Sequence, residues 1–194
     1  ILYFTFLAYG DAENAFAFAD ISYGFYPVYA EFCNVPSREI PLKEDFSIDY
    51  LNYLGIQEHV LIANPNAPTG TCLPVVEIEE TLRANPDRLV VIDEAYIDFG
   101  GESCVPLIQK YDNLLVIQTF SKSRSLAGAR LGFGIGCEAL IRDLTTVKYS
   151  INPYNVNRMT QAAGVAAIQD DAYYRENARK TISVREETAL RLKS

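Results

Sequence analysis

HVLIANPNAPTGTCLPVVEIEETLRANPDRLVVIDEAY, residues 59–96, carries the pattern that decides the fold class. Its first five residues are apolar and short, as in a strand buried on both faces. A turn rich in Pro, Asn and Gly follows, and Val75, Ile78 and Leu82 then mark one face of a helix opening at Pro74. Asn85 and Pro86 stop that helix, because proline cannot continue it. LVVI, residues 89–92, supplies a second buried strand, and Asp93 sits at its carboxyl end. Strand, helix, strand is the unit of a parallel sheet, and in such sheets ligands bind beyond the carboxyl ends of the strands.

The same alternation continues downstream. A crossover near residues 105–110 leads to the strand LLVIQ, residues 114–118, whose end delivers Thr119, Phe120, Ser121 and Lys122. LGFGIG, from Leu131, reads as one more strand, glycine-rich where backbone passes closely, and residues 138–147 read as a helix. At the amino end, ILYFTFLAY reads as a core helix, too short to span a bilayer. From about Asp171 the pattern is amphipathic, with Tyr174, Ala178 and Ile182 four residues apart among charged side chains. Both ends fall inside helical patterns, so the chain is expected to be part of a longer one. The expected class is α/β, a three-layer α-β-α sandwich around a mostly parallel sheet.

Composition narrows the function classes. The net charge is −8, and no Lys/Arg cluster offers a surface for a phosphate backbone, so no nucleic-acid partner is expected. Cys33, Cys72, Cys104 and Cys137 are widely spaced without a CxxC pair, which suggests neither a metal site nor a disulfide framework. A reducing cytoplasm fits, and no membrane association is expected.

Two strand ends bring titratable groups together. Lys122 follows an otherwise buried strand; a lysine there either reaches solvent along the sheet edge or acts as a nucleophile that forms an imine with a carbonyl cofactor. Arg124 and Arg130 lie close by in sequence. Asp93 is placed to bind a cation, either Mg²⁺ on a nucleotide or a protonated pyridine nitrogen. A P-loop ATPase needs GxxxxGK[ST], which these residues lack.

Four stretches, ISYGFYPVYAE (21–31), ANPNAPTG (63–70), VVIDEAYIDF (90–99) and TFSKSRSLAGARLGFGIG (119–136), resemble in that order the fold-type I enzymes of pyridoxal 5'-phosphate (PLP), aminotransferase class I/II. The similarity is greatest to the histidinol-phosphate aminotransferases. It implies transfer of an amino group between L-histidinol phosphate and 2-oxoglutarate, a step of histidine synthesis. Other PLP enzymes of the subfamily, an aromatic aminotransferase or threonine-phosphate decarboxylase, stand as alternatives, as does a non-catalytic PLP-sensing domain attached to a DNA-binding segment.

The resemblance implies that Lys122 holds PLP and moves the proton, Asp93 pairs with the ring nitrogen, and Tyr96 donates to the phenolate oxygen. It implies that Tyr23 stacks on the ring and that Ser121 and Arg130 hold the phosphate; Arg124 is left facing solvent. It further implies a homodimer, and a PLP-binding large domain over residues 1–170 whose amino-terminal part is missing. Residues 171–194 would then begin a helix leading to an absent small domain. In one place the sequence departs from the family pattern. Where most members read N-P-T-G, with the Asn reaching the phenolate oxygen, this chain has Ala67; either Asn64 or Asn66 substitutes, if the turn is shifted, or Tyr96 acts alone.

Overall fold

A computed structural model describes residues 1–193. Six strands form one sheet: β1 (Phe16–Ala19), β2 (Ser37–Ile40), β3 (His59–Ala63), β4 (Val90–Asp93), β5 (Leu114–Thr119) and β6 (Gly132–Ile135). Their spatial order is β2-β1-β3-β4-β5-β6. The first five are parallel, and β6 runs antiparallel to β5, with Thr119 opposite Gly132. The helices are α1 (Leu2–Tyr9), α2 (Phe25–Phe32), α3 (Val75–Ala84), α4 (Glu138–Ile151), α5 (Arg158–Gln169) and α6 (Asp171–Leu192).

Alternation along each strand sends side chains to two cores. Val60, Ile62, Val90 and Ile92 pack with Ile78 and Leu82 of α3 on one face. Leu61, Ala63, Val91, Leu115 and Ile117 pack with Phe6 of α1, Tyr26 and Ala30 of α2, and Leu140 and Leu144 of α4 on the other. The result is the three-layer α-β-α sandwich that the sequence predicts. Each fully buried aliphatic side chain here contributes about 1.5–3 kcal/mol of transfer free energy. Because strands β3 and β4 are apolar on both faces, sliding either one would leave both cores unfilled.

The helix over residues 75–84 opens after Pro74 and ends at Asn85 as expected, and the strand ending at Asp93 begins at Val90, one residue later than the sequence suggests. In α6, Tyr174 and Ile182 are half-buried and Ala178 is buried, so the four-residue spacing does mark the inward face. Two strands went unread. β1 is only FAFA, and β2 is a polar edge strand with three exposed residues of four, a form that protects an edge from unwanted pairing. Among the described residues no helix is long and apolar enough to cross a membrane.

Candidate active site at the carboxyl edge of the sheet

Ala63, Asp93 and Ile117 are cross-strand neighbours at the carboxyl ends of β3, β4 and β5. All three point to the face covered by α1, α2 and α4, since Asp93 has the parity of Val91 rather than of Ile92. Above them opens a cavity of about 270 Å³. Its wall contains Tyr23, Asp93, Tyr96, Ser121, Lys122 and Arg130, all six residues singled out from the sequence, although they come from three separate stretches of chain.

Local structure explains how each arrives there. Tyr96 follows β4 in a turn closed by Ile97 N to Glu94 O (3.1 Å) and Phe99 N to Tyr96 O (3.0 Å). The adjoining Glu94 points into the opposite layer, 1% exposed, and accepts from Ser103 Oγ (2.8 Å), Cys104 N (2.6 Å) and Gln118 Nε2 (2.8 Å). That network ties the ends of β4 and β5 together, so Asp93 and Lys122 are presented from one rigid edge. Lys122 is exposed, with Nζ 4.9 Å from the centroid of the Tyr96 ring. Its amine enters the cavity and does not run out along the sheet edge.

The chain between β5 and β6 curls tightly, closed by Phe120 N to Leu131 O (3.0 Å) and Leu126 N to Phe120 O (2.9 Å). Ser125 (φ 54°) and Arg130 (φ 53°) adopt the left-handed conformation, which costs a non-glycine residue about 1 kcal/mol or more. Such strain persists only where its surroundings impose it, and here Arg130 reaches the cavity wall that Ser121 also lines, its Nη1 donating to Ala127 O (2.9 Å). Gly132 makes the return possible, since a Cβ there would lie 2.9 Å from Gln118 O.

Arg124 corrects the expectation of a solvent-facing side chain. It donates to Asp171 Oδ1 (2.7 Å) and Ala167 O (3.2 Å) and lies 5.3 Å from the Tyr174 ring, with 20% of its side chain exposed. It clamps α5 and α6 to the Lys122 loop. Helix α6 gains a second tether where Arg185 Nη1 donates to Phe99 O (2.8 Å).

The two asparagines of the turn are spent on the fold. Asn64 accepts from Leu73 N (2.8 Å) and donates to Leu73 O (3.1 Å). Asn66 donates to Ile21 O (2.9 Å) and Thr69 Oγ1 (2.9 Å) and accepts from Ser22 Oγ (2.7 Å). Both are 1% exposed, and it is Ala67 that faces the cavity. The turn is not shifted, so of the tyrosine–asparagine pair implied by the resemblance only Tyr96 lines the cavity.

Sequence reasoning missed Tyr26, Tyr29 and Thr119, which also line the cavity. The three-residue spacing of Tyr23, Tyr26 and Tyr29 was the available signal, for it puts all three on one side of α2 and its entry. Tyr26 Oη donates to Asp93 Oδ2 (2.9 Å), and Ala95 N donates to Oδ1 (3.1 Å). Burial pushes the Asp93 carboxyl above its ordinary value, opposed by the Tyr26 hydroxyl and the Ala95 amide. Burial and the Asp93 charge push the Tyr26 phenol well up, so the shared proton stays on the phenol. Thr119 Oγ1 accepts from Ser121 N (3.1 Å) and lies 3.0 Å from Ser121 Oγ, which fixes that hydroxyl at the cavity rim.

The profile of the family described as aminotransferase class I and II matches residues 1–194. The chain belongs to that family. Among curated class I and II aminotransferases it is 48% identical over its whole length to histidinol-phosphate aminotransferase of Brachyspira hyodysenteriae, of which it covers 55%. The chain thus spans about half the length of the curated relatives it matches. Its fold matches a Thermus thermophilus aspartate aminotransferase double mutant with a TM-score of 0.86 at 22% identity, over 98% of this chain and 53% of that one. It also matches Sinorhizobium meliloti histidinol-phosphate aminotransferase, solved in complex with pyridoxal-5'-phosphate, with a TM-score of 0.81 at 23% identity. That match covers 95% of this chain and 52% of the other.

The wall residues suit the family's cofactor on chemical grounds. A buried carboxylate disfavoured by its surroundings gains from a cationic N–H. An exposed guanidinium and a hydroxyl on the wall of one cavity suit a phosphate, the half-buried Tyr96 offers a phenol, and the Lys122 amine suits an aldehyde.

Proposed function

We propose that this chain is the cofactor-binding part of a PLP-dependent aminotransferase acting on L-histidinol phosphate and 2-oxoglutarate in histidine synthesis. The observation that carries the reading is the single cavity that gathers Lys122, Asp93, Tyr96, Ser121 and Arg130 at the strand ends. The 48% identity to a histidinol-phosphate aminotransferase supports the choice of substrate.

When bound, PLP supplies an aldehyde carbon that joins to amines and a ring that takes up an electron pair. The chain's own residues do the rest. Lys122 would hold the cofactor covalently and, once displaced by the amino substrate, take the proton from the substrate's α-carbon and return it one atom away. Asp93 would keep the ring nitrogen protonated, and Tyr96 would donate to the phenolate oxygen. Tyr23, 44% exposed and lining the cavity, would stack on the cofactor ring. Ser121 and Arg130 would bind the phosphate, Arg through two parallel N–H bonds.

The proposal extends to a large domain over residues 1–170, with α6 leading from it toward a smaller one, and to a cytoplasmic homodimer without a nucleic-acid partner. The net charge of −8 supports the last point, and light scattering on the purified enzyme tests the dimer. The reading as a whole is tested by incubating the protein with PLP, reducing with borohydride and mapping the modified lysine by mass spectrometry. A single label on Lys122, absent in Lys122→Ala, is the expected result. Labels scattered over Lys43, Lys110 and Lys148 would refute it, and failure of the full-length enzyme to turn over L-histidinol phosphate would refute the substrate.

A further inference from the structure

Tyr26 has the geometry of a residue selected for its hydroxyl. It is fully buried in the first turn of α2, its ring seated 5.7 Å from Phe18 of β1 and edge-on to Tyr23 at 5.5 Å. A phenylalanine would fill that seat equally well. The added oxygen reaches across 67 residues of sequence to Asp93 Oδ2, at 2.9 Å. Ala95 N holds the other oxygen, so each carboxylate oxygen has one donor, and the rotation of the group is fixed. Both partners line the cavity.

We propose that Tyr26 is a positioning residue that holds Asp93 in its ionised form and in one orientation, so that Asp93 keeps the proton on the cofactor's ring nitrogen. The inference rests on the proposed binding of PLP and deepens it. A hydrogen bond donated to a carboxylate favours the anion, whereas burial favours the acid. In an Asp–pyridine pair the proton goes to the stronger base, so removing the Tyr26 donor moves it from the nitrogen toward Asp93. A ring that has lost this proton is a poorer acceptor of electrons. The same ring also meets Tyr23 edge-on, so Tyr26 touches both the carboxylate and the ring proposed to stack on the cofactor.

The test uses the full-length holoenzyme loaded with PLP labelled with ¹⁵N at the ring nitrogen. In the unaltered enzyme the nitrogen resonance is expected at its protonated position. In Tyr26→Phe it is expected to move toward the unprotonated position, with kcat down about 10- to 100-fold, the range set by a hydrogen bond to a charged group, and KM little changed. Phe18→Leu disturbs the seat of Tyr26 but leaves its hydroxyl, and is expected to leave the nitrogen protonated. An equal shift in Phe18→Leu would show that packing alone matters and overturn the proposal. So would a nitrogen that stays protonated in Tyr26→Phe.

A second measurement needs no folded variant. A downfield hydroxyl proton coupled to the Tyr26 ring carbons is expected in unaltered holoenzyme carrying ¹³C-tyrosine, and its absence would equally overturn the inference. Failure of the unaltered enzyme to bind PLP would instead sink the proposed function, and the role of Tyr26 with it.

Discussion

Replacing Asn66 by alanine separates a cofactor ligand from a structural bolt. The side chain makes three hydrogen bonds, to Ile21 O, Thr69 Oγ1 and Ser22 Oγ, and is 1% exposed. At about 0.5–1.5 kcal/mol each, their loss sums to about 1.5–4.5 kcal/mol. The partners are themselves only part-buried, so water can satisfy some of them, and about 2 kcal/mol is expected. For a chain of this size that corresponds to a fall in Tm of roughly 4–8 °C. Urea unfolding should show a lower midpoint with an unchanged slope. Asn66 also ties the turn to residues 21 and 22, immediately before Tyr23, so PLP affinity should fall in Asn66→Ala. In Asn64→Ala, which loses two bonds to Leu73 and has no link to Tyr23, affinity should hold at a similar stability cost. The pH midpoint of the bound cofactor's visible absorbance should be the same in Asn66→Ala as in the unaltered protein. A displaced midpoint with unaltered stability would mean that Asn66 donates to the cofactor, and the reasoning from its saturated amide would be wrong.

Other expectations follow from the same geometry. Asp93→Asn keeps the shape and removes the charge, so kcat should fall about 100-fold or more, with a smaller change in PLP affinity; unchanged turnover would exclude a role at the ring nitrogen. Arg130→Lys exchanges a planar fork for a point charge and should raise the Kd for PLP about 10- to 100-fold by equilibrium dialysis. His59 is buried, accepts a hydrogen bond from Leu89 N on Nδ1 (2.9 Å) and therefore carries its proton on Nε2, which donates to Tyr9 O (3.1 Å). Burial lowers its pKa below 6.5, so the unfolded chain binds the proton more readily. Its contribution to stability is complete above pH 6.5 and is lost as pH falls toward the folded-state value. Asp93, raised by burial, acts in the opposite sense, so the readout is the difference in urea stability between the unaltered protein and His59→Asn across pH 7.5 to 5. A difference that does not change with pH would contradict the neutral, doubly bonded imidazole.

What residues 59–136 specify by themselves is local. Apolar runs, prolines and glycines act over a few residues, so β3, α3, β4 and β5 are legible as strands and helix, and Asp93 and Lys122 are legible as groups at strand ends. The parity of a strand even dictates that Asp93 shares a face with Val91. Three kinds of fact depended on distant chain. The short β1 and the polar edge strand β2 exist because parallel partners complete their hydrogen bonds, a term absent from their own four-residue sequences. Arg124 looked exposed because its acceptors, Asp171 and Ala167, lie more than 40 residues away on helices that fold back over it. The free or spent state of a polar side chain is decided in the same way: Asn66 has no N–H left to donate to a cofactor because Ile21 O takes one and Thr69 Oγ1 the other, and the Oδ2 of Asp93 has its donor only because Tyr26 reaches it from α2. Sequence periodicity places side chains on faces, but a hydrogen bond needs a partner within about 3 Å, and only the folded chain supplies one.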